Sequence, residues 1–339
     1  VIFDEIHLCK NGKAKRTKAA RKLARMVKHV IGLTGTPILN RPIEIFNPVK
    51  MIDSTVLPDF WSFARTHCNL KHNGFGWDYN GASRTDELNQ RLATTVMIRR
   101  LKQDVLTELP DKTYAHVPIE LSNRKEYRSA ERDFIHWVKA QKGKPAAERA
   151  KRSEQLAKIN GLKRLTGQGK VKAAKEWIED LIEQDQKLVV FVQHKDVIKE
   201  LAKHFSQEAV TITGDLSGQQ REHAVESFQN NNQTRLLIGQ IQAAGVGLTL
   251  TAASNVAFLE LPWTPGDLEQ ASDRLHRVGQ SDNVTVYYLL AADSIDDYLA
   301  SILDSKRQIK DAVTDGIDSS SDEDMLSALI EAYSDTDDA

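Results

Sequence analysis

The sequence predicts an α/β protein built around a parallel sheet with helices on both faces, and three observations point there. In the C-terminal half, short apolar runs rich in β-branched residues alternate with helical patterns, which is the signature of strands joined by helical crossovers. The corners between them are short and polar or Gly-rich, as at Gln193-His194, Gly214-Asp215 and the stretch after Gly239. Third, a length of 339 residues corresponds to roughly two domains of about 150 residues each.

Taken in chain order, Val1-Ile2-Phe3 is an apolar strand run ending in Asp4-Glu5, followed by a helix and a second strand leading into Gly35-Thr36-Pro37. A central strand needs neighbours on both sides, so this opening, without an initiator Met, reads as a chain whose beginning is missing. Residues 41–110 mix short helical pieces with a Gly- and Asn-rich loop at Asn73–Gly81. Tyr114–Leu121 reads as a strand and Ser122–Lys139 as a helix, with a charged linker at Lys139–Arg152. The later strands are expected at Leu188–Gln193, Val210–Thr213, Arg235–Ile238, Val256–Leu261 and Val284–Leu290. Helices are expected at Asp196–Phe205, Gly218–Gln229, Gly266–Val278 and Ile295–Val313. This divides the chain into a first lobe at 1–121, a helical protrusion and linker at 122–165, a second lobe at 166–313 and an acidic, disordered tail at 314–339.

Composition narrows the function. Apolar residues at 40% and charged residues at 27% describe an ordinary globular protein with room for sizeable cores. Two cysteines, Cys9 and Cys68, build no disulfide framework, and no apolar run is long enough to cross a bilayer, so no membrane partner is expected. The net charge of −1 conceals an asymmetry: residues 1–314 hold all 46 Lys and Arg against 38 of the 47 acids, while the last 25 residues hold the other nine. A basic body with an acidic tail hints at a polyanionic partner.

Three stretches carry chemistry. A strand that ends in two consecutive carboxylates, Asp4-Glu5, suits metal-dependent nucleotide hydrolysis, the first holding Mg²⁺ through its water shell and the second orienting or deprotonating the attacking water. For an isolated Asp-Glu, a surface strand cap is the plainer reading. His7 stands where a polar group could link this site to a neighbouring segment. Leu33-Thr34-Gly35-Thr36-Pro37 forces a tight turn and presents two hydroxyls at the sheet edge. In Gln270–Arg277, helical periodicity over Asp267–Val278 sets Gln270, Arg274 and Arg277 at i, i+4 and i+7 on one face. Two guanidiniums on one face fit a triphosphate, since Arg binds phosphate bidentately and stays charged, whereas a solvated charged face is the plainer reading.

In this order and spacing the stretches resemble the Swi/Snf-type DNA translocases of helicase superfamily two, from Val1 to about Val313. Asp4-Glu5-Ile6-His7 matches the family's Walker B box and Leu33–Asn40 its motif III; Met97–Lys112 looks like the block that follows. Phe191–His194 fits motif IV, Gln242–Ala253 with Leu261–Pro265 fits motif V and its extension, and Gln270–Gln280 is close to motif VI. Motif V is most similar to the annealing-helicase branch.

The resemblance implies two RecA-like lobes with parallel sheets, the first incomplete, separated by helical protrusions, and hydrolysis of ATP with Mg²⁺ at the inter-lobe cleft while the protein moves along double-stranded DNA. By matched position Asp4 would hold the metal, Glu5 would be the general base, and Arg274 and Arg277 the arginine fingers. His7, Gly245, Gly247 and Gln270 would line the nucleotide site, and Thr36, Gln193, His194, Thr249 and Trp263 would contact DNA. Location would be intracellular: nucleus in a eukaryote, cytoplasm or nucleoid in a bacterium or phage.

The departures are specific. No Gly-x-x-x-x-Gly-Lys-Ser/Thr loop occurs in the sequence, so no backbone cradle for the β- and γ-phosphates is encoded, and negligible ATPase activity is expected from this chain alone. Ile6 stands where the family more often has Ala or Ser, and Ala244 where Gly is frequent. The competing readings are a non-catalytic nucleic-acid-binding module and a strand-separating helicase.

Two further features keep two readings each. The nine basic residues between Lys10 and Lys28, with no acid among them, form either a solvated helix face or a DNA-phosphate patch. The acidic tail is either a solvating terminus or, through Met325–Tyr333, a short helix for a protein partner. Cys9 with His7 and Cys68 with His67 lack the doubled spacing of a zinc site.

Overall fold

The computed structural model describes residues 1–35, 41–72, 76–100, 102–141, 152–184, 186–244, 247–304, 329–330 and 332–333. They form two compact units, the first built on Val1–Leu101 and the second on Lys102–Trp263 with Asp267–Ile302.

In the first unit, β1 (Ile2–Phe3) pairs in parallel with β2 (Ile31–Gly32), joined through α1 (Lys15–Ala24). A second layer comprises α2 (Ile43–Ile52), α3 (Phe60–His67), a small antiparallel pair of β3 (Lys71–His72) with β4 (Trp77–Asp78), and α4 (Thr85–Thr95). Asp59 caps α3 by accepting from the backbone N–H of Trp61 and Ser62, the usual device for the orphan donors of a first helical turn. Phe46, Phe63, Leu57, Leu88 and Leu92 close the core between these helices. Ile6 fills the notch over Gly32, where a Cβ would come within 2.6 Å of the Ile6 Cδ1. The larger side chain at position 6 is thereby accommodated by the absence of one at 32.

The second unit holds α5 (Lys102–Val105) and a six-stranded parallel sheet. Its strands are β5 (Lys112–Pro118), β6 (Leu188–Val192), β7 (Ala209–Ile212), β8 (Leu236–Gln240), β9 (Asn255–Phe258) and β10 (Val284–Leu290), in the spatial order β5-β10-β9-β6-β8-β7. Every residue of β6 is buried, as befits a central strand of a sheet covered on both faces. The helices are α6 (Arg124–Gln141), α7 (Arg152–Glu183), α8 (Lys195–His204), α9 (Gly218–Asn230), α10 (Ile241–Ala244) and α11 (Pro265–Ser272), and residues 295–304 are also helical. Val171, Ala174 and Ile178 of α7, and Val197, Ile198 and Leu201 of α8, pack on Leu188, Val190 and Val192. The connection from β6 runs toward the β7 edge and that from β9 toward β10, so the ends of β6 and β9 flank the point where the winding reverses, the usual ligand crevice of such sheets.

Three expectations require revision. The strand read at Tyr114–Leu121 was assigned to the first lobe, but β5 lies in the second unit's sheet, paired with β10 over seven residues from Val284↔Lys112 to Leu290↔Pro118. The boundary at 165/166 falls inside α7, a single helix of 32 residues. The tail read as disordered from 314 includes residues that are anchored: Leu329 and Tyr333 are buried, with the Tyr333 ring 5.1 Å from that of Phe134 and 4.6 Å from that of Tyr298. Aromatic burial holds Tyr333 on its own chain, and its hydroxyl donates to Glu131 at 3.2 Å. Residues 305–313 of the expected last helix lie outside the described residues.

Candidate functional site

In the first unit, β1 delivers Asp4 and Glu5 at its carboxyl end, Asp4 exposed and Glu5 partly so. Glu5 sits at φ 50°, ψ 48°, a left-handed conformation that non-glycine residues adopt at a cost of about 1–2 kcal/mol. It starts the single 3₁₀ turn Ile6–Cys9, whose first N–H, on Ile6, donates to Leu33 O at 3.0 Å. His7 is buried, with Nδ1 2.8 Å from Thr34 Oγ1 and 3.1 Å from Glu5 Oε2. Since a carboxylate only accepts, the arrangement fits a proton on Nδ1 facing both oxygens. The acidic pair and the Leu33-Thr34-Gly35 segment are thus one hydrogen-bonded unit.

A cavity of ≈ 300 Å³ opens beside Thr34 and Gly35, walled by Val49, Met97, Arg99 and Arg100, which brings the start of the Met97–Lys112 block next to that segment. Thr36 lies outside the described residues. Among the described residues, no three His, Cys, Asp or Glu cluster as a metal cage. A cation at Asp4 would therefore complete its shell with water and phosphate oxygens, the habit of Mg²⁺ at nucleotide sites. The residues present fit that role. Cys9 and Cys68 are buried thiols.

In the second unit the crevice between β6 and β9 is organised by Glu260, which sequence reasoning passed over. Its buried carboxylate accepts from the backbone N–H of Gln193 at 2.8 Å and of His194 at 2.9 Å, and meets His194 Nδ1 at 2.5 Å. Burial alone would raise the Glu260 pKa, but the hydrogen bond and charge of His194, with the two backbone donors, hold it below the ordinary carboxylate value. Gly167 of α7 makes room for this group, since a Cβ there would stand 2.6 Å from Glu260 Oε1.

Beside it, buried Lys163 donates to Leu261 O at 2.9 Å and lies over the Trp263 ring, 4.3 Å from its centroid. Desolvation pulls its pKa down to about 8, partly opposed by Glu260 and Asp296. Lys170 is held by Asp296 at 2.6 Å and by the carbonyls of Leu289, at 2.8 Å, and Leu259. These buried lysines are invisible to a reading that puts Lys on the surface. The only available signal was Gly167-Gln168-Gly169 inside a helical run.

The arginine stretch departs from expectation. The helix ends at Ser272, so Gln270 lies on α11 while Arg274 and Arg277 follow it in turns, and the shared helical face does not exist. Hydrogen bonds to the Leu248–Ala253 segment take over. Arg277 Nη1 donates to Leu248 O at 3.0 Å, Leu250 N donates to Arg274 O at 2.9 Å, and buried Gln280 Nε2 donates to Ala253 O at 2.8 Å. These bonds bring Arg274 and Arg277 together with Gly247, at φ 74°, and with exposed Thr249 by another route. Gly245 lies outside the described residues. Ala244 is buried, and its Cβ occupies the space left by Gly239, where a Cβ would approach it to 2.7 Å.

The chain is an α/β protein, with a six-stranded parallel sheet in its second unit and an Asp-Glu pair at a strand end in its first. Residues 1–168 match the SNF2-related domain and residues 169–279 the helicase conserved C-terminal domain, and the chain belongs to this SNF2-related family. It is 35% identical over 319 residues to the Xenopus laevis "SWI/SNF-related matrix-associated actin-dependent regulator of chromatin subfamily A-like protein 1", covering 91% of this chain and 32% of that protein. It is 34% identical over 330 residues to the human "DNA annealing helicase and endonuclease ZRANB3", covering 93% of this chain and 30% of that protein. The chain thus spans about a third of the length of these relatives. The "Sulfolobus solfataricus SWI2/SNF2 ATPase core domain" shares the fold, with a TM-score of 0.50 and 22% identity over 97% of this chain and 68% of that one.

Proposed function

We propose that the chain is the part of an ATP-dependent double-stranded-DNA translocase that carries the metal-holding carboxylates and the arginine-bearing second unit, working as an annealing helicase or remodeller. The observation that supports this most is Glu5, held in a left-handed backbone at a strand end and tied through His7 to Thr34. Bound magnesium nucleotide supplies the electrophilic phosphorus and the metal charge. Asp4 would hold the metal through its water shell, and Glu5 would orient the attacking water and take its proton as the water oxygen bonds to the γ-phosphorus and the bond to ADP breaks. His7 senses the nucleotide side of this pair and passes its position to the Leu33–Thr34 segment. Arg274 and Arg277 offset transition-state charge, a contribution worth about 10³–10⁵ in rate when such a finger is lost. Gln193, His194, Thr249 and Trp263 meet DNA phosphates without reading bases, as movement along any sequence requires. The name of the human relative favours re-annealing of separated strands, and the protein acts inside the cell, in the nucleus of a eukaryote.

The test is duplex-stimulated ATP hydrolysis by this chain alone and by a polypeptide in which a phosphate-loop segment precedes Val1. The chain alone is expected to stay at background, and the extended protein to be stimulated by duplex DNA and silenced by Glu5→Gln. Stimulated hydrolysis by the chain alone, above an Arg274→Ala control, would remove the need for the loop. An extended protein that binds DNA but never hydrolyses ATP would make this a binding module.

A further inference from the structure

The described basic segment of the first unit is not scattered charge. α1 buries Thr17, Ala20 and Ala24, and it is fixed to α2 by Asn47, which accepts from Arg21 Nη2 at 2.6 Å and donates to Lys10 O at 2.7 Å. Lys10 is neutralised by Glu44 at 2.8 Å. At 100° per residue, Lys15, Lys18, Lys22 and Arg25 then fall within an arc of about 80° on the outward side. All four are exposed, and none makes an ion pair or side-chain hydrogen bond among the described residues. Elsewhere exposed cations find acids, as Arg164 does with Asp196 and Lys195 with Asp215.

The stripe lies on the side of α1 opposite the face whose Ala20 and Ala24 pack with Ile6 and Cys9 of the turn after Glu5. Four cations along about 15 Å of rigid helix match about four successive phosphates of one duplex strand at ~3.4 Å of axis each. No aromatic residue occurs between Lys10 and Val30, so the surface has nothing to stack on a base.

We infer that Lys15, Lys18, Lys22 and Arg25 form a sequence-independent duplex-DNA contact on the first unit, binding phosphate backbone only. The inference rests on the proposed DNA-translocase function and deepens it.

The experiment measures duplex DNA affinity of the full chain against salt concentration. K18E/K22E/R25E is expected to weaken binding at least tenfold at low salt and to flatten the log K versus log [salt] slope by about 2–3. The neutral set K18Q/K22Q/R25Q should move the same way by less, with an unchanged thermal midpoint. K172E/K199E/K203E, with the same charge change on exposed positions of α7 and α8, should leave the slope in place. An unchanged slope in the stripe variant, or an equal loss in the control, overturns the inference while the translocase reading stands. Failure of the unaltered chain to bind duplex DNA overturns both. If the stripe effect vanishes on deletion of residues 315–339, the acidic tail is the occupant. If it appears only on phosphatidylserine vesicles, a membrane surface is. Either result overturns the inference.

Discussion

His7 Nδ1 stands 2.8 Å from Thr34 Oγ1, which ties the turn after the acidic pair to the segment after β2. Thr34→Val keeps the shape and removes one of the two oxygens that face His7 Nδ1, at a cost of about 0.5–1.5 kcal/mol. Urea unfolding should show that loss. In the extended, hydrolysis-competent protein, the same change should lower DNA stimulation while nucleotide affinity holds. Equal stability in Thr34→Val and the unaltered chain would remove the link.

Glu5 combines a catalytic assignment with an unfavourable backbone angle, and the two can be separated. Glu5→Gln should abolish hydrolysis in the extended protein by about 10²–10⁴ with the fold intact. Glu5→Gly lacks the carboxylate too but adopts φ 50° freely, and should be more stable than Glu5→Gln by about 1 kcal/mol. Denaturation midpoints of the two variants decide it; a less stable Gly variant would deny the strain.

Two glycines of α7 should respond oppositely to the same change. An added methyl at Gly167 meets Glu260 Oε1 at 2.6 Å, so Gly167→Ala should destabilise by about 1–3 kcal/mol and loosen the Gln193-His194 corner. At Gly161 a Cβ meets nothing within 4 Å, and Gly161→Ala should stabilise by about 0.5–1 kcal/mol. Calorimetric midpoints that shift together would contradict the packing.

Lys163 gives a pH signature. Its folded pKa of about 8 lies below the ordinary lysine value of 10.5, so between these values the unfolded chain binds more protons than the folded one. Stability relative to Lys163→Met should therefore be lowest and flat below pH 8, and rise as pH climbs from 8 toward 10.5, by a few kcal/mol in order of magnitude. A difference between the two proteins that does not change from pH 7 to pH 10.5 would rule out the depressed value.

The strands from β6 to β10 were legible because buried parallel strands are continuous apolar runs, and Leu188–Val192 can be little else. The Asp4-Glu5 strand end was legible from the apolar run Val1-Ile2-Phe3, although Val1 and Ile2 are exposed. The helix over Asp267–Val278 was overextended: its periodicity is real, but Arg277 and Gln280 bond the carbonyls of Leu248 and Ala253, and such distant acceptors leave no trace in local spacing. Lys163 and Lys170 look like surface residues until the Leu261, Leu259 and Leu289 carbonyls that receive them are in view. The anchoring of Tyr333 was hidden likewise, since Phe134 and Tyr298 are remote in sequence.

The place of β5 bears on how the chain is made. Thr113 and Thr285 are neighbours in the finished sheet yet 172 residues apart in the chain. At about 5–20 residues per second, a ribosome would take roughly 9–34 seconds after releasing the first before releasing the second. Through that interval the sheet lacks its last neighbour, and β5 waits with nothing to pair against. Assembly of the second unit therefore ends with its two most distant strands meeting, a slow, non-local step. A nascent chain stopped short of Val284 should be the species that chaperones hold.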